Sequence, residues 1–315
     1  MGKKKAVIVG LSGQDGHYLN ALLSGKGYEV TGLSSTRAIA PDGRMLPPVD
    51  ITNPGEVETL VRAVRPDEVY YLAAVHQSSQ DRMANGDGDL FIKSMAVNVV
   101  GLVNFLNAAK KNAPGTRLFY AASSHVFGAP EGEMQDERTP FDPVCIYGIS
   151  KTAGVRACRF FHAEHGVFAS AGILFNHESP VRKPQFVSRK IVDTAKAIKE
   201  GREEKLVLGN LDSRVDWGYA PDFADAMHRI LQADGPDSFV VATGELHSIR
   251  EFVEEVFGLL GLDWQKHVTV DPSIVTKKPR HPLAGKAHKL RSVTGWRPSV
   301  DFPGLIRKLV EGEAR

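Results

Sequence analysis

Along the chain, short apolar runs alternate with longer stretches whose apolar residues recur at helical spacing. Ala6–Val9, Tyr28–Leu33, Glu68–Ala74, Arg117–Ala121 and Phe168–Leu174 read as strands, nearly apolar throughout, and the segments between them read as helices. A strand without polar alternation is buried on both faces, so this rhythm predicts an α/β fold with a doubly wound parallel sheet. After about residue 175 the rhythm changes. A polar, proline-containing stretch (Asn176–Gln185) leads to a helix over Phe186–Lys199, a short strand over Lys205–Leu208 and a helix over Asp222–Leu231. Ser238–Ala242 can return to the main sheet as a strand. Two interleaved parts are therefore expected: residues 1–175 with about 220–243, and a smaller lobe from 176–219 with 244–315. Asn85–Asp89, reading Asn-Gly-Asp-Gly-Asp, is expected to be an exposed turn.

Composition narrows the partners more than the fold. The 39 Lys and Arg against 37 Asp and Glu give a net charge of +2, spread along the chain, so no basic field marks a nucleic-acid or anionic-membrane binder. No stretch of apolar residues approaches the roughly 20 needed to span a bilayer. The apolar run after Lys3-Lys4-Lys5 is too short for a signal sequence, since Gly10 and Ser12 interrupt it. The two cysteines, Cys145 and Cys158, build neither a disulfide framework nor a multi-cysteine metal site, and they suit a reducing compartment, so the cytoplasm is expected. No metal is expected either. His76, His125, His162, His165 and His177 are the candidate donors, and the His162/His165 pair reads as a solvated helix face without a carboxylate partner motif.

Two constellations carry chemistry. Gly10-Leu11-Ser12-Gly13-Gln14-Asp15-Gly16 joins the first strand to the first helix, where glycines let the backbone approach a pyrophosphate at the positive helix end. This is the dinucleotide turn of a Rossmann sheet. At the end of the second strand, Leu33-Ser34-Ser35-Thr36-Arg37 has no acid for the ribose hydroxyls of NAD. NADP is therefore favoured over NAD, with Ser34, Ser35 and Arg37 near its 2′-phosphate. Asp50 and Ile51 are placed at the adenine edge, and Leu72-Ala73-Ala74 forms a small apolar wall beside the cofactor. The second constellation is Tyr147-Gly148-Ile149-Ser150-Lys151, a phenol and an ammonium one helical turn apart. The Lys151 charge is expected to favour phenolate and make Tyr147 a general base. Ser123-Ser124, at the end of a predicted strand, can share a substrate hydroxyl with Tyr147.

Together these residues resemble the extended short-chain dehydrogenase/reductase family acting on nucleotide sugars. Five runs, in family order, narrow the resemblance to the GDP-mannose 4,6-dehydratases: Gly13-Gln14-Asp15-Gly16, Ile173-Leu174-Phe175-Asn176-His177-Glu178-Ser179-Pro180, Phe186-Val187-Ser188-Arg189-Lys190, Leu208-Gly209-Asn210-Leu211-Asp212 and Asp216-Trp217-Gly218-Tyr219-Ala220-Pro221-Asp222. The resemblance implies a GDP-sugar substrate contacted by Ser124, Asn176, Val187, Lys190, Asn210, Arg214 and Arg280, and cofactor-side roles for His177 and Arg182. It also implies a homodimer through the helices around Met95–Lys111 and Ile146–His165, with a tetramer as the family's larger assembly.

Departures from the family pattern bear on the chemistry. Where the family carries Thr-Ser-Glu, whose Glu handles the C5 proton and the departing C6 hydroxyl, this chain has Ser123-Ser124-His125. Histidine can be base and then acid near pH 7. The family's Arg-Arg-Ser-Ser segment has become Ser34-Ser35-Thr36-Arg37, and its Gln-Ser-His-Val reads Val75-His76-Gln77-Ser78. Three activities are consistent with the sequence: 4,6-dehydration, a 4-epimerase or oxidoreductase reaction that keeps only the hydride step, and nucleotide-sugar binding without turnover.

Overall fold

The computed structural model describes residues 2–75, 86–132, 134–274 and 282–312. The strands are β1 Lys5–Val9, β2 Glu29–Leu33, β3 Ala38–Ile39, β4 Met45–Leu46, β5 Glu68–Tyr71, β6 Arg117–Ser123, β7 Met134–Gln135, β8 Phe168–Leu174, β9 Asn176–Glu178, β10 Leu206–Leu208, β11 Arg214–Tyr219, β12 Ser238–Val241, β13 Leu246–Ser248, β14 Val268–Val270 and β15 Ala284–Gly285. The helices are α1 Gln14–Gly25, α2 Pro54–Val64, α3 Gly86–Met95, α4 Gly101–Asn112, α5 Ile146–His165, α6 Val187–Lys199, α7 Ala220–Gln232, α8 Ile249–Leu260, α9 Trp264–His267, α10 His288–Thr294 and α11 Phe302–Glu311. The main sheet has the order β12-β8-β6-β5-β1-β2-β3-β4, parallel from β12 to β2 and closed at one edge by the antiparallel hairpin β3–β4. The fold is α/β, as the alternation predicts.

Adjacent residues on the inner strands are buried on opposite faces. On β6, Leu118, Tyr120 and Ala122 join one core with Val57, Phe105 and Val155 of α2, α4 and α5. Phe119 and Ala121 join the other, with Leu19 of α1, Met227 and Ile230 of α7, and Trp296. Burying both faces removes the polar alternation that would otherwise mark a strand. A third core packs α6, α8 and α11 around Trp217 of β11. The short sheet β13-β11-β9 lies at its side and carries residues that follow β8 toward the site.

Two expectations need correction, and one element was not anticipated. Gly86 to Asp89 form the first turn of α3 rather than a loop; Asp87 and Asp89 in that turn favour the helix through its positive end. Asn85 lies outside the described residues. The hairpin β3–β4, two residues per strand, leaves too short a pattern to read. Finally, α3, a π-helical turn Ala96–Val100 and α4 run on as one 27-residue segment, Gly86–Asn112, which by length and composition could cross a membrane. It mixes small and apolar residues with asparagines, so no uninterrupted apolar run announced it. In this fold Leu102, Phe105 and Leu106 pack it into the sheet's core, and Asn98 and Asn104 tie it to Ser150 and the Ile51 carbonyl.

Candidate active site

The parallel sheet reverses its winding between β1 and β5, and the chain after β1 turns there. Gly10 has φ +107°, a left-handed conformation that glycine tolerates, and a Cβ there would lie 2.9 Å from the Ala73 amide nitrogen. A Cβ on Gly16 would collide with the Gly10 carbonyl. The turn can therefore lie flat against the end of β5 only with glycine at both places. No side chain caps α1 at Gly13, so its first amides face outward as donors. They open onto a cavity of about 990 Å³. Its wall runs from Ser34, Ser35, Asp50 and Ile51, past Gly10, Ser12, Gly13, Gln14, Asp15 and Gly16 and along Leu72, Ala73 and Ala74, to Tyr147, Lys151, Asn176, His177 and Arg182. This shape and donor set fit a dinucleotide, whose pyrophosphate the helix N-terminus would hold.

The far end of the cavity is built by β6 and α5. A Cβ on Gly154 would collide with the Tyr120 ring, so α5 lies close against β6 and brings Tyr147 beside the end of that strand. Ser123, the last residue of β6, hydrogen-bonds Tyr147. Lys151 is buried, donates to the Ala121 carbonyl at 2.7 Å and stands 5.5 Å from the Tyr147 ring centroid. Burial pushes its pKa down to about 7, against the pull of the Asp15 carboxylate. Burial, with the Asp15 and Cys145 charges, also pushes the Tyr147 phenol upward, outweighing the Ser123 hydrogen bond and the Arg182 charge. The expectation that the Lys151 charge lowers the Tyr147 pKa is thus corrected for the protein by itself: the ammonium is bonded to a backbone carbonyl, and desolvation dominates. His125, in the 3₁₀ turn Ser124–Val126, meets the Tyr147 ring edge-on with centroids 5.5 Å apart.

Behind the glycine turn the buried His177 pairs with the partly exposed Asp15. His177 Nε2 is 2.9 Å from Asp15 Oδ1, and His177 Nδ1 is 2.7 Å from the Phe175 carbonyl. Both partners are acceptors, so both ring nitrogens carry protons and the ring is cationic. Burial alone would lower the His177 pKa, but Asp15 raises it above the ordinary value; Asp15 itself, opposed by burial, is held low chiefly by His177. Gln14 donates to the His177 carbonyl and accepts from Ser179. Arg182 pairs with the buried carboxylate of Glu178 at 3.3 Å, and Ser188 donates to the same group.

Several predicted residues lie elsewhere. Arg37 is exposed and outside the cavity wall, its backbone closing a turn with Ser34. Ser124 is buried, Lys190 donates to the Val207 carbonyl, and Asn210 accepts from the Asp212 amide; these residues, with Val187 and Arg214, do not line the cavity. Arg280, His76, Gln77 and Ser78 lie outside the described residues. His162 faces the Val167 carbonyl and His165 packs on Phe161. Among the described residues no three His, Cys, Asp or Glu side chains are gathered as metal ligands. Sequence reading missed Asn98, fully buried, which accepts from the Val75 amide and donates to Ser150, and it missed Cys145 as the cap of α5. A polar residue inside the apolar Met95–Lys111 stretch was the one signal for the first.

A sequence profile of the GDP-mannose 4,6 dehydratase family matches residues 7–309. The chain is 36% identical over 327 residues to GDP-mannose 4,6 dehydratase 2 of Arabidopsis thaliana, covering 98% of this chain and 86% of that protein. Among solved structures, RMD from Pseudomonas aeruginosa complexed with NADPH superposes with a TM-score of 0.81 at 21% identity, covering 98% of each chain. The dTDP-glucose 4,6-dehydratase from Bacillus anthracis in complex with NAD gives 0.81 at 18% identity, covering 98% of this chain and 96% of that one.

Proposed function

Since this chain belongs to the GDP-mannose 4,6 dehydratase family, we propose that it removes water from GDP-mannose, taking the C5 hydrogen and the C6 hydroxyl. The observation that carries the reading is that Tyr147 and Lys151 line one end of the dinucleotide-shaped cavity, with Ser123 and His125 each in contact with Tyr147. The residues Gly10–Gly16 would hold a nicotinamide cofactor, which would supply the hydride acceptor for C4 and the hydride donor for C6. Ser123 orients the C4 hydroxyl and Tyr147 takes its proton, with the Ser123 hydrogen bond and the Arg182 charge favouring the phenolate. The C4 ketone acidifies the adjacent C5–H bond. His125 takes that proton as the C–H electron pair becomes the C5–C6 double bond and the C6–O bond breaks. His125 then returns the proton to the leaving oxygen, which departs as water; as C6 receives hydride, C5 takes a proton from solvent through His125, and Tyr147 releases the C4 hydroxyl proton to solvent.

The cofactor is NADP in this reading. Ser34 and Ser35 line the cavity without a competing acid after β2, and the carboxylates of Asp50 and Glu56 are already bonded to Thr52 and to the Asp50 amide. Ser35→Asp, which puts an acid on the cavity wall, should weaken NADP binding about tenfold without weakening NAD binding, which titration of each cofactor checks. The assembly is a homodimer through α3–α4 and α5, where Ile92 is 69% and Phe160 56% exposed and Val100 and Ile149 are exposed as well. A cytoplasmic location is supported by the two free cysteines. Purified protein incubated with GDP-mannose and NADP should yield a product lighter by one water in mass spectrometry. A product of unchanged mass, or one lighter only by two hydrogens, would refute dehydration in favour of epimerisation or oxidation.

A further inference from the structure

The N-terminus of α1 cannot by itself meet the charge of a pyrophosphate. A helix end carries roughly half an elementary charge, whereas the pyrophosphate of a dinucleotide carries about two of the opposite sign. Asp15, in the first turn of α1 and on the cavity wall, adds a negative charge there, which the His177 cation offsets. Of the other cations on the wall, Lys151 is bonded to the Ala121 carbonyl and Arg182 is paired with Glu178. Lys183 stands beside Arg182, in the stretch between β9 and α6. One further cation lines the cavity, Lys93.

Lys93 lies in the last turn of α3, and Val97, one turn further on, shares the cavity wall with it. Its side chain is exposed, and among the described residues no ion pair joins it to Asp89, the acid one turn earlier. The segment that carries it is fixed to the chain leaving β5: Tyr71 donates to the Val97 carbonyl, and the Asn98 side chain accepts from the Val75 amide. The glycine turn rests on the middle of the same stretch, where a Cβ on Gly10 would lie 3.1 Å from the Leu72 carbonyl carbon. Lys93 is thus anchored to the stretch against which the pyrophosphate turn packs. Ser34 and Ser35, on the side where a 2′-phosphate would sit, follow β2, and β1 separates that strand from β5.

We propose that Lys93 is a cofactor-binding residue whose ammonium pairs with the pyrophosphate and supplies the charge that the α1 N-terminus lacks. NAD and NADP share that group, so Lys93 serves both and does not choose between them. The inference rests on the nicotinamide-cofactor reading of the cavity and is independent of the reaction that follows.

Titration calorimetry on the full chain tests it without turnover. Lys93→Met, which keeps most of the side-chain length and removes the charge, should weaken NAD and NADP binding by the same factor, about tenfold, and Lys93→Arg should restore both. GDP, which carries a diphosphate but no nicotinamide, should bind Lys93→Met and the unmodified protein alike. Added salt should weaken NAD binding to the unmodified protein more steeply than to Lys93→Met, because the pair is exposed. A loss confined to NADP would move the charge to the 2′-phosphate, a loss confined to GDP would move it to the substrate, and unchanged affinity for all three would leave Lys93 a solvated side chain; each result overturns the proposal. So does a lowered Tm of cofactor-free Lys93→Met with an unchanged salt dependence, which would make the role structural. If the unmodified protein binds neither NAD nor NADP, the cofactor reading fails and the proposal falls with it, whereas binding that is indifferent to Lys93 overturns the proposal alone.

Discussion

At Tyr147 two influences oppose each other, and the surrounding groups decide the sign: desolvation and Asp15 raise the phenol, while Ser123 and Arg182 lower it. Tyr147→Phe and Lys151→Met should each cut dehydration by about 100- to 10,000-fold, the usual span for a positioned proton-transfer group, with the fold intact by circular dichroism. His125→Ala should fall in the same range for water loss. The Asp15–His177 pair makes a separate prediction about stability. The His177 pKa lies above its ordinary 6.5, so its contribution is complete below that pH and fades as pH rises through the raised value. The Asp15 pKa lies below its ordinary 3.8, so its contribution is complete above that pH and fades as pH falls through the lowered value. The pair thus stabilises fully between 3.8 and 6.5. Thermal denaturation of the cofactor-free protein should show Tm falling above pH 6.5 more steeply than in His177→Gln, which itself should lose about 1–2 kcal/mol at pH 6.

At the level of elements, the glycine turn and the Tyr/Lys helix were legible because each needs particular residue types at fixed spacing. The inner strands were legible because burial on both faces strips them of polar residues, as Val69, Tyr70 and Tyr71 of β5 show. β9 was not, since Asn176-His177-Glu178 is polar and only three residues long, and its partner Asp15 stands 162 positions away. Likewise the π-helical turn that delivers Asn98 to the Val75 amide has no signature in local periodicity. The same turn geometry sets a test: Gly10→Ala places a Cβ at φ +107° and 2.9 Å from the Ala73 amide nitrogen. Strain of that kind costs about 1–3 kcal/mol, so Tm should drop and nicotinamide-cofactor affinity should fall at least tenfold by titration calorimetry.

For the whole molecule, the order of strands matters because it puts the reversal of winding between β1 and β5 and so opens the cavity at their carboxyl ends. That order could be guessed as a class but not read, because pairing joins residues far apart in sequence. Light scattering should give twice the chain mass of 34.4 kDa, and Ile92→Glu combined with Phe160→Glu should halve it. The central claim, however, is elimination driven by Tyr147 at the end of the cavity together with Ser123 and His125, which contact it. Its most direct test is turnover of GDP-mannose in heavy water followed by proton NMR of the product. Dehydration by this site predicts a 4-keto-6-deoxy sugar carrying solvent deuterium, with that product lost in His125→Ala; a sugar that keeps its C6 hydroxyl, or full water loss without His125, would contradict it.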